Sequence, residues 1–253
     1  MFDRKMEDNI HRIHDLDQKI YRIFSYGRFQ EMFGNKELVL LNPSKWDDPF
    51  ENFFLKTEVD CGGGEIATLE ALARDWYGQC WTTQSDSDAM WRIYSPEKEK
   101  NGIRVSTTIR KLFTAIWDAA DDSAYLKFFI GKVEYLTKAD IIAFLNKTSF
   151  SSITMGGTND LFSQLLLVKR TEFSHENEIR IIVDDVDKLI GDHRSKTYKI
   201  AIDPHTLFDE VCIDPRTTVF EFESLKTQVK AIGITLPIVH SQLYTMTLPR
   251  IRM

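Results

Sequence analysis

The sequence predicts an α+β fold: a central mixed or antiparallel sheet with flanking helices. Three observations predict it. Short apolar runs rich in β-branched and aromatic residues recur along the whole chain, among them Ile20–Phe24, Leu38–Leu41, Ile179–Val183, Tyr198–Ile202 and Val211–Ile213. Helical patterns are interposed between these runs with no steady strand–helix–strand rhythm. No G-x-G-x-x-G follows a strand, which argues against a doubly wound dinucleotide-binding sheet.

The bulk properties fit that class. The 253 residues are 43% hydrophobic and 28% charged, an ordinary soluble composition. No composition break or low-complexity linker divides the chain, so residues 1–253 are expected to form a single domain, with 1–18 as a lead-in. A net charge of -6 gives no global basic footprint for nucleic acid, although Arg104, Arg110, Lys111, Lys169 and Arg170 supply material for a local patch. Cys61, Cys80 and Cys212 have neither metal-ligand spacing nor a disulfide framework, which fits a reducing cytoplasm. The polar N-terminus lacks the apolar core of a signal peptide. No apolar run approaches the roughly 20 residues that span a membrane.

In order, residues 5–18 carry Met6, Ile10, Ile13 and Leu16 at helical spacing and predict an amphipathic lead-in helix. His11 and His14 lie on it at i,i+3 with no third ligand nearby. Lys19–Phe24 predicts a strand interrupted by Arg22. Residues 26–34 predict a short helix closed by Gly34, and Leu38–Leu41 a second strand. The Pro- and Asp-rich turn LNPSKWDDPFEN follows, with Trp46 and Phe50 as its pins to the core. Cys61-Gly62-Gly63-Gly64 is a loop without the Lys-Ser/Thr of a phosphate-binding loop. Residues 65–77 predict a helix, and 78–83 a strand. A helix follows, with Ser85 or Ser87 as N-cap and Met90, Trp91 and Tyr94 on its apolar face. Strand 102–107, helix 108–120, strand 128–135, helix 138–147 and a Ser/Thr/Gly loop over 148–158 come next. Leu161–Leu167 predicts a helix. Strands at 198–202 and 210–213, a helix over 218–231 and a strand from Pro237 through the SQLYTMTL segment complete the chain.

The densest chemistry lies in Lys169–Asp185, KRTEFSHENEIRIIVDD. Alternation in a strand would place Glu176, Glu178 and Arg180 on one face, with Ile179 and Ile181 on the other. The chain has no G-x-S-x-G elbow, no H-E-x-x-H and no Cys/His zinc spacing. Cys80, within an apolar strand, reads as a core thiol. What remains is an arginine on an early strand, hydroxyls and aromatics near middle strands, and a Glu-x-Glu late. Arginine grips a pyrophosphate, aromatic rings sandwich a flat heterocycle, and a carboxylate beside an anomeric carbon stabilises an oxocarbenium-like transition state. Those are the requirements for cleaving the nicotinamide–ribose bond of NAD. For Glu176 and Glu178, an ion-paired strand entry with Arg180 or Lys169 weighs equally. For Trp91 and Tyr94, core packing weighs more than a pocket role.

The set YRIF, LVLLNPSKWDDPFEN, GQCWTT with AMWRIY, and KRTEF with ENEIRIIV resembles a bacterial family long described only as a domain of unknown function. The resemblance runs from about Tyr21 to Tyr244, with Asp47 standing where the family's turn has asparagine. The order of parts is also similar to that of ADP-ribosyltransferases, in particular the DarT-like toxins that modify nucleic acid. That resemblance implies an ADP-ribosyltransferase-like core over 19–253. Tyr21 and Arg22 would meet the NAD substrate. Thr82 or Ser106 would take the middle hydroxyl position, and Trp91 and Tyr94 would line the nicotinamide pocket. Glu178 would be the catalytic carboxylate, with Glu176 as its helper. It further implies an RNA or DNA acceptor, a role as a bacterial toxin or anti-phage effector, and an antitoxin or chaperone partner. Two other classes remain open: a non-catalytic nucleotide- or protein-binding sensor that needs Arg22 but not Glu178, and a metal-dependent nuclease using Asp47, Asp48, Glu176 and Glu178.

Overall fold

The structure is a computed structural model describing residues 4–46, 58–60, 63, 65–68, 74–95, 100–120, 124–147, 160–185, 195–246 and 250. The chain opens with α1 (Arg4–Glu7), β1 (Ile10–His11), β2 (Lys19–Phe24), α2 (Tyr26–Asn35) and β3 (Glu37–Leu41). β4 (Glu58–Asp60) and β5 (Ile66–Thr68) form a small hairpin-like pair. Next come β6 (Trp76–Thr82), α3 (Asp88–Tyr94), β7 (Ile103–Thr108), α4 (Ile109–Asp118) and α5 (Ala124–Lys127). β8 (Phe128–Lys132), β9 (Glu134–Leu136), α6 (Lys138–Lys147), α7 (Asp160–Leu165) and β10 (Val168–Arg170) lead to β11 (Glu178–Asp184). The chain continues through β12 (Thr197–Ala201), α8 (Pro204–Leu207), β13 (Glu210–Ile213), α9 (Val219–Ala231) and β14 (Ile238–His240).

The fold class is the expected one. Among the described residues, ten strands make one mixed sheet in the order β1-β8-β11-β6-β2-β7-β13-β14, with β3 joining β6 to β12. Within this sheet pairing is antiparallel except at β1–β8 and β13–β14. β11 is central and buried along its whole length. Its alternation is strict: Ile179, Ile181 and Val183 enter the main core with Phe113, Ile116 and Trp81, while Ile182 faces a second core of Trp76, Phe129, Phe162 and Leu166. Glu178 and Arg180 therefore share the face of Ile182.

Several local expectations give way. The lead-in is a four-residue helix followed by β1, because Ile10 pairs with Ile130 of β8 and Arg12 turns the chain at φ 58°. Ile10, Ile13 and Leu16 still pack on the main core, from a strand, irregular chain and a turn rather than from one helix face. A helix over 65–77 does not form: Ile66–Thr68 pairs with β4, and Trp76 already opens β6. Here β-favouring aromatics and long-range pairing win over local helical pattern. α2 runs through Gly34, and Lys36 supplies the left-handed cap at φ 55°. The expected strand 128–135 breaks at Val133, whose N–H donates to the Glu178 carbonyl, and its second part pairs with β10. β14 stops at His240, since Ser241 turns away to donate to Asp86. The Asp47–Glu51 turn, most of the Cys61–Gly64 loop and residues 148–158 lie outside the described residues.

The feature that positions the candidate site is a fork beside β6. One edge of β6 pairs with β11 over seven residues, Trp76–Thr82. The other edge meets β2 only at Thr82 and β3 only at Gly78. Between these points the polar edge of β6 lacks a strand partner and must be satisfied another way. Arg22 Nη1 donates to the Cys80 carbonyl there, and Gln79 Nε2 spans the gap to the Val39 carbonyl at 3.0 Å.

Candidate functional site

Strand register lines up the expected residues. Glu178 of β11 sits opposite Thr82 of β6, Thr82 opposite Tyr21 of β2, and Tyr21 opposite Ser106 of β7. Directly opposed residues share a sheet face, so the four form one row across four strands. Thr82 is the immediate neighbour of Glu178. Ser106 is three strand spacings from it, about 14 Å at the usual interstrand separation. The row crosses the sheet at the upper end of the fork, and a cleft opens there.

Glu178 is 2% exposed. Its two carboxylate oxygens accept from Arg180 Nε and Nη2 at 3.0 and 2.9 Å. Lys169 Nζ lies 3.6 Å from one of those oxygens and 2.6 Å from Glu176 Oε2. The Glu178 N–H donates to the Tyr135 hydroxyl at 3.0 Å. Burial pushes the Glu178 carboxyl up, but the charges of Arg180 and Lys169, with hydrogen bonds from the Cys80 thiol and Arg180, outweigh it and hold the group below its ordinary 4.5. The carboxylate is therefore ionised at neutral pH inside a nearly closed site. With Arg180 using a site on each oxygen and the Cys80 thiol a third, about one of the carboxylate's roughly four acceptor sites is left for a ligand hydroxyl.

Glu176 is buried, but not on the strand with Glu178. It ends a 3₁₀ turn, Thr171–Glu176, and Asn177 at φ 43° separates it from β11. The expected shared strand face fails because that left-handed residue resets the alternation. Bonds from the end of β6 and the two residues after it fix the turn instead: Thr82 Oγ1 to the Glu176 carbonyl at 2.6 Å, the Thr83 N–H and Oγ1 to the Asn177 carbonyl at 3.1 and 3.4 Å, and Gln84 Nε2 to the His175 carbonyl at 2.9 Å. Thr82 is thereby a brace between the two glutamates.

Arg22 and Tyr94 reach the same place. A small pocket is lined by Tyr21, Arg22, Cys80, Thr82, Met90, Tyr94, Glu176 and Glu178, among others. It adjoins a cleft of about 400 Å³ that also contacts Trp46, Gln79, Lys169, Phe173 and His175. A further opening of about 460 Å³, under α2 and β3, shares Arg22, Val39, Leu41 and Gln79 with that cleft. Arg22 thus stands at the junction of all three. Its Nε is buried and has no partner among the described residues. Desolvation lowers the Arg22 pKa, against opposing pulls from Cys80, Tyr94 and Glu178; a guanidinium remains a cation at neutral pH. The Tyr94 phenol is pushed up by desolvation, with Cys80, Glu176 and Glu178 adding to it and Arg22 opposing. It stays protonated at neutral pH and so has a hydroxyl proton available to donate.

Trp91 and Ser106 do not line this cleft. Trp91 is fully buried with Ile23, Met90 and Cys212, and donates from Nε1 to Asp86 Oδ1 at 2.7 Å. Its helix neighbour Met90 lines the pocket in its place. Cys80, expected as an inert core thiol, is half-buried and faces the cleft with its thiol bonded to Glu178. Period-2 spacing from Thr82 is the signal that would have placed it there. The basic patch does not assemble. Arg104 pairs with Asp86 and Glu210, Arg110 with Asp17, Lys111 with Asp209, and Lys169 with Glu176. Arg170 lies against the Phe173 ring. His11 and His14 share no helix face, and His11 Nε2 lies 3.1 Å from Ser163 Oγ. Among the described residues no group of three or more His, Cys, Asp and Glu side chains is arranged to hold a metal, and Asp47 and Asp48 lie outside those residues. No described helix is long and apolar enough to cross a membrane.

No family model matches the chain, and no curated protein matches it. The motif set likened to a bacterial family of unknown function therefore finds no counterpart in those comparisons. Solved structures of DarT from Thermus sp. 2.9 do match, at 11% identity. The complex with NAD+ has a TM-score of 0.41 and covers 91% of this chain and 98% of that one. The complex with ADP-ribosylated single-stranded DNA has a TM-score of 0.41 over 92% and 98%. The complex with carba-NAD+ has a TM-score of 0.39 over 90% and 96%.

Proposed function

We propose that this protein is an NAD-dependent ADP-ribosyltransferase whose catalytic carboxylate is Glu178. The observation that carries the reading is the convergence of Arg22, Tyr94 and Glu178, from three separate elements, on one cleft at the sheet fork. The residues fit the substrate. The unpartnered Nε of Arg22 suits a phosphate or ribose oxygen. Tyr94, Met90 and Tyr21 offer an aromatic and thioether wall to the nicotinamide. Glu178, held ionised in a dry site, accepts from a ribose hydroxyl and stabilises the positive charge that develops as the nicotinamide–ribose bond breaks. Glu176 and Thr82 hold the approach to that carboxylate.

The acceptor we propose is nucleic acid. The cleft mouth presents Trp46, Tyr94 and Phe173, with Arg170 against the Phe173 ring, which suits stacking of an unpaired base. Such an activity fits a cytoplasmic bacterial toxin or anti-phage effector held in check by an antitoxin or chaperone. The experiment incubates the protein with labelled NAD and mixed DNA, RNA and protein, and follows nicotinamide release and label transfer. Both are expected for the wild type, to be lost in Glu178→Gln and kept in Glu172→Gln, whose side chain is exposed on the 3₁₀ turn. Unchanged turnover in Glu178→Gln sinks the assignment.

One observation favours a second reading. Both Glu178 oxygens already accept from Arg180, as in a structural ion pair. On that reading the cleft binds a nucleotide or protein partner without turnover, and NAD binding occurs with no nicotinamide release. The nuclease reading has less support, since Glu176 and Glu178 are each engaged by a cation.

A further inference from the structure

We propose that Arg180 is the positioning residue for the Glu178 carboxylate, held in place by Trp46 stacked over it in space that the absent side chain of Gly78 leaves open; this rests on the transferase reading above. Arg180 is fully buried on a central strand, and each of its guanidinium nitrogens is used. Nε and Nη2 fork onto Glu178, and Nη1 donates to the Leu166 carbonyl at 2.5 Å, at the end of α7. A planar fork of this kind fixes the carboxylate in rotation as well as in distance. A lysine would hold it at one point.

The guanidinium is itself clamped. The Trp46 ring stacks on it, 4.2 Å from centroid to Cζ. Trp46 follows the 3₁₀ turn Pro43–Lys45, which Asn42 caps and ties to β6 through the Trp76 carbonyl at 2.9 Å. A Cβ on Gly78 would fall 2.7 Å from Trp46 Cζ2 and 3.3 Å from the Ile181 carbonyl, so only glycine lets the indole lie flat there. Register completes the arrangement: Ile182 opposes Gly78, Arg180 opposes Cys80 and Glu178 opposes Thr82, all on one face. The order Gly78, Trp46, Arg180, Glu178 therefore runs from sheet backbone to carboxylate through packed contacts. Trp46 also borders the cleft, so the clamp lies at its wall.

The groups that face Glu178 are Arg180 on its own strand, Lys169 of β10, Glu176 of the 3₁₀ turn, Cys80 of β6, Arg22 of β2, Tyr94 of α3 and Tyr135 of β9. Lys169 divides its charge between two glutamates. Arg180 alone makes the two-point contact, so loosening it changes both the orientation and the titration of the carboxylate.

The test has two readouts on Arg180→Gln, Trp46→Ala and Trp46→Phe. The first is the Glu178 carboxyl titration in ligand-free protein, followed by carbon-detected NMR and assigned with Glu178→Gln. The second is the kcat and KM of nicotinamide release. The inference expects the Glu178 titration to move up in Arg180→Gln and Trp46→Ala. It expects kcat to fall about tenfold or more, as for a misplaced catalytic group, with KM for NAD changed by less than about threefold. Trp46→Phe, which keeps a ring face over the guanidinium, is expected to restore both. If Arg180→Gln does not fold, Trp46→Ala decides. A folded Trp46→Ala with an unmoved titration overturns the clamp, whether or not kcat falls. If the wild type releases no nicotinamide, the transferase reading fails, while the titration still decides the clamp.

Discussion

Glu178 sets the pH behaviour of its surroundings. Its folded pKa lies below the ordinary 4.5, so the stability gained by ionising it is present above that value and lost as pH falls through the folded one. The unfolding free energy of the wild type, measured in urea from neutrality to about pH 3, is expected to fall more steeply below pH 4.5 than that of Glu178→Gln. Equal slopes would mean that Arg180 and Lys169 do not hold the carboxylate down. Arg22 gives the complementary prediction. A charged hydrogen bond to a ligand phosphate contributes about 1.5–3 kcal/mol. Arg22→Ala is therefore expected to weaken NAD binding by roughly 10- to 100-fold in a calorimetric titration. Unchanged affinity would remove Arg22 from the substrate site.

At the scale of elements, helix ends are the most separable feature. α9 begins with a complete capping box: Thr218 Oγ1 accepts from the Glu221 N–H, and Glu221 Oε2 accepts from the Thr218 N–H. Thr218→Ala is expected to lower stability by about 1 kcal/mol and to leave nicotinamide release unchanged, since α9 contributes nothing to the cleft lining. A loss of turnover at equal stability would show coupling between α9 and the site. The cap of α3 was legible in the sequence as Ser85 or Ser87, because capping is local, and the structure selects Ser87; at Thr218 the sequence reading gave the helix but not its cap. β2, β3, β11 and β13 were legible because each buries an apolar run of strand length. β1 was not, because its partner β8 lies about 120 residues away, and β5 was not, because three residues are too short a run to show a period. The site was partly legible for the same reason. Arg22, Thr82, Tyr94 and Glu178 lie near the ends of recognisable elements. Trp91 was misplaced because adjacent positions on α3 share its apolar face, and only packing against β2 and β13 decides that Met90 turns to the cleft. Glu176 was misplaced because the left-handed turn at Asn177 has no signature beyond the tolerance of asparagine for that region.

For the whole molecule, the fork matters more than the net charge. The net charge is -6, and the five basic side chains of the expected patch are each engaged by acids or an aromatic ring, so that patch offers no assembled positive surface to an anionic ligand. On the proposed function, recognition comes from the interior of the cleft, where Arg22 bridges the separated edges of β2 and β6. A ligand seated there contacts β2, β6, α3 and β11 together, so binding should stabilise the sheet as a unit. A ligand that binds only the folded state at 100 times its Kd stabilises by about 2.7 kcal/mol. For a chain of this length that corresponds to a rise of roughly 5–10 °C in Tm. Differential scanning fluorimetry with NAD is expected to show such a rise for the wild type and for Glu178→Gln, and to show it sharply reduced for Arg22→Ala at the same NAD concentration. An equal rise in Arg22→Ala would place NAD away from the fork. A rise for the wild type without nicotinamide release would favour the binding-module reading, because the cleft would then recognise the dinucleotide while Glu178 serves only its ion pair with Arg180.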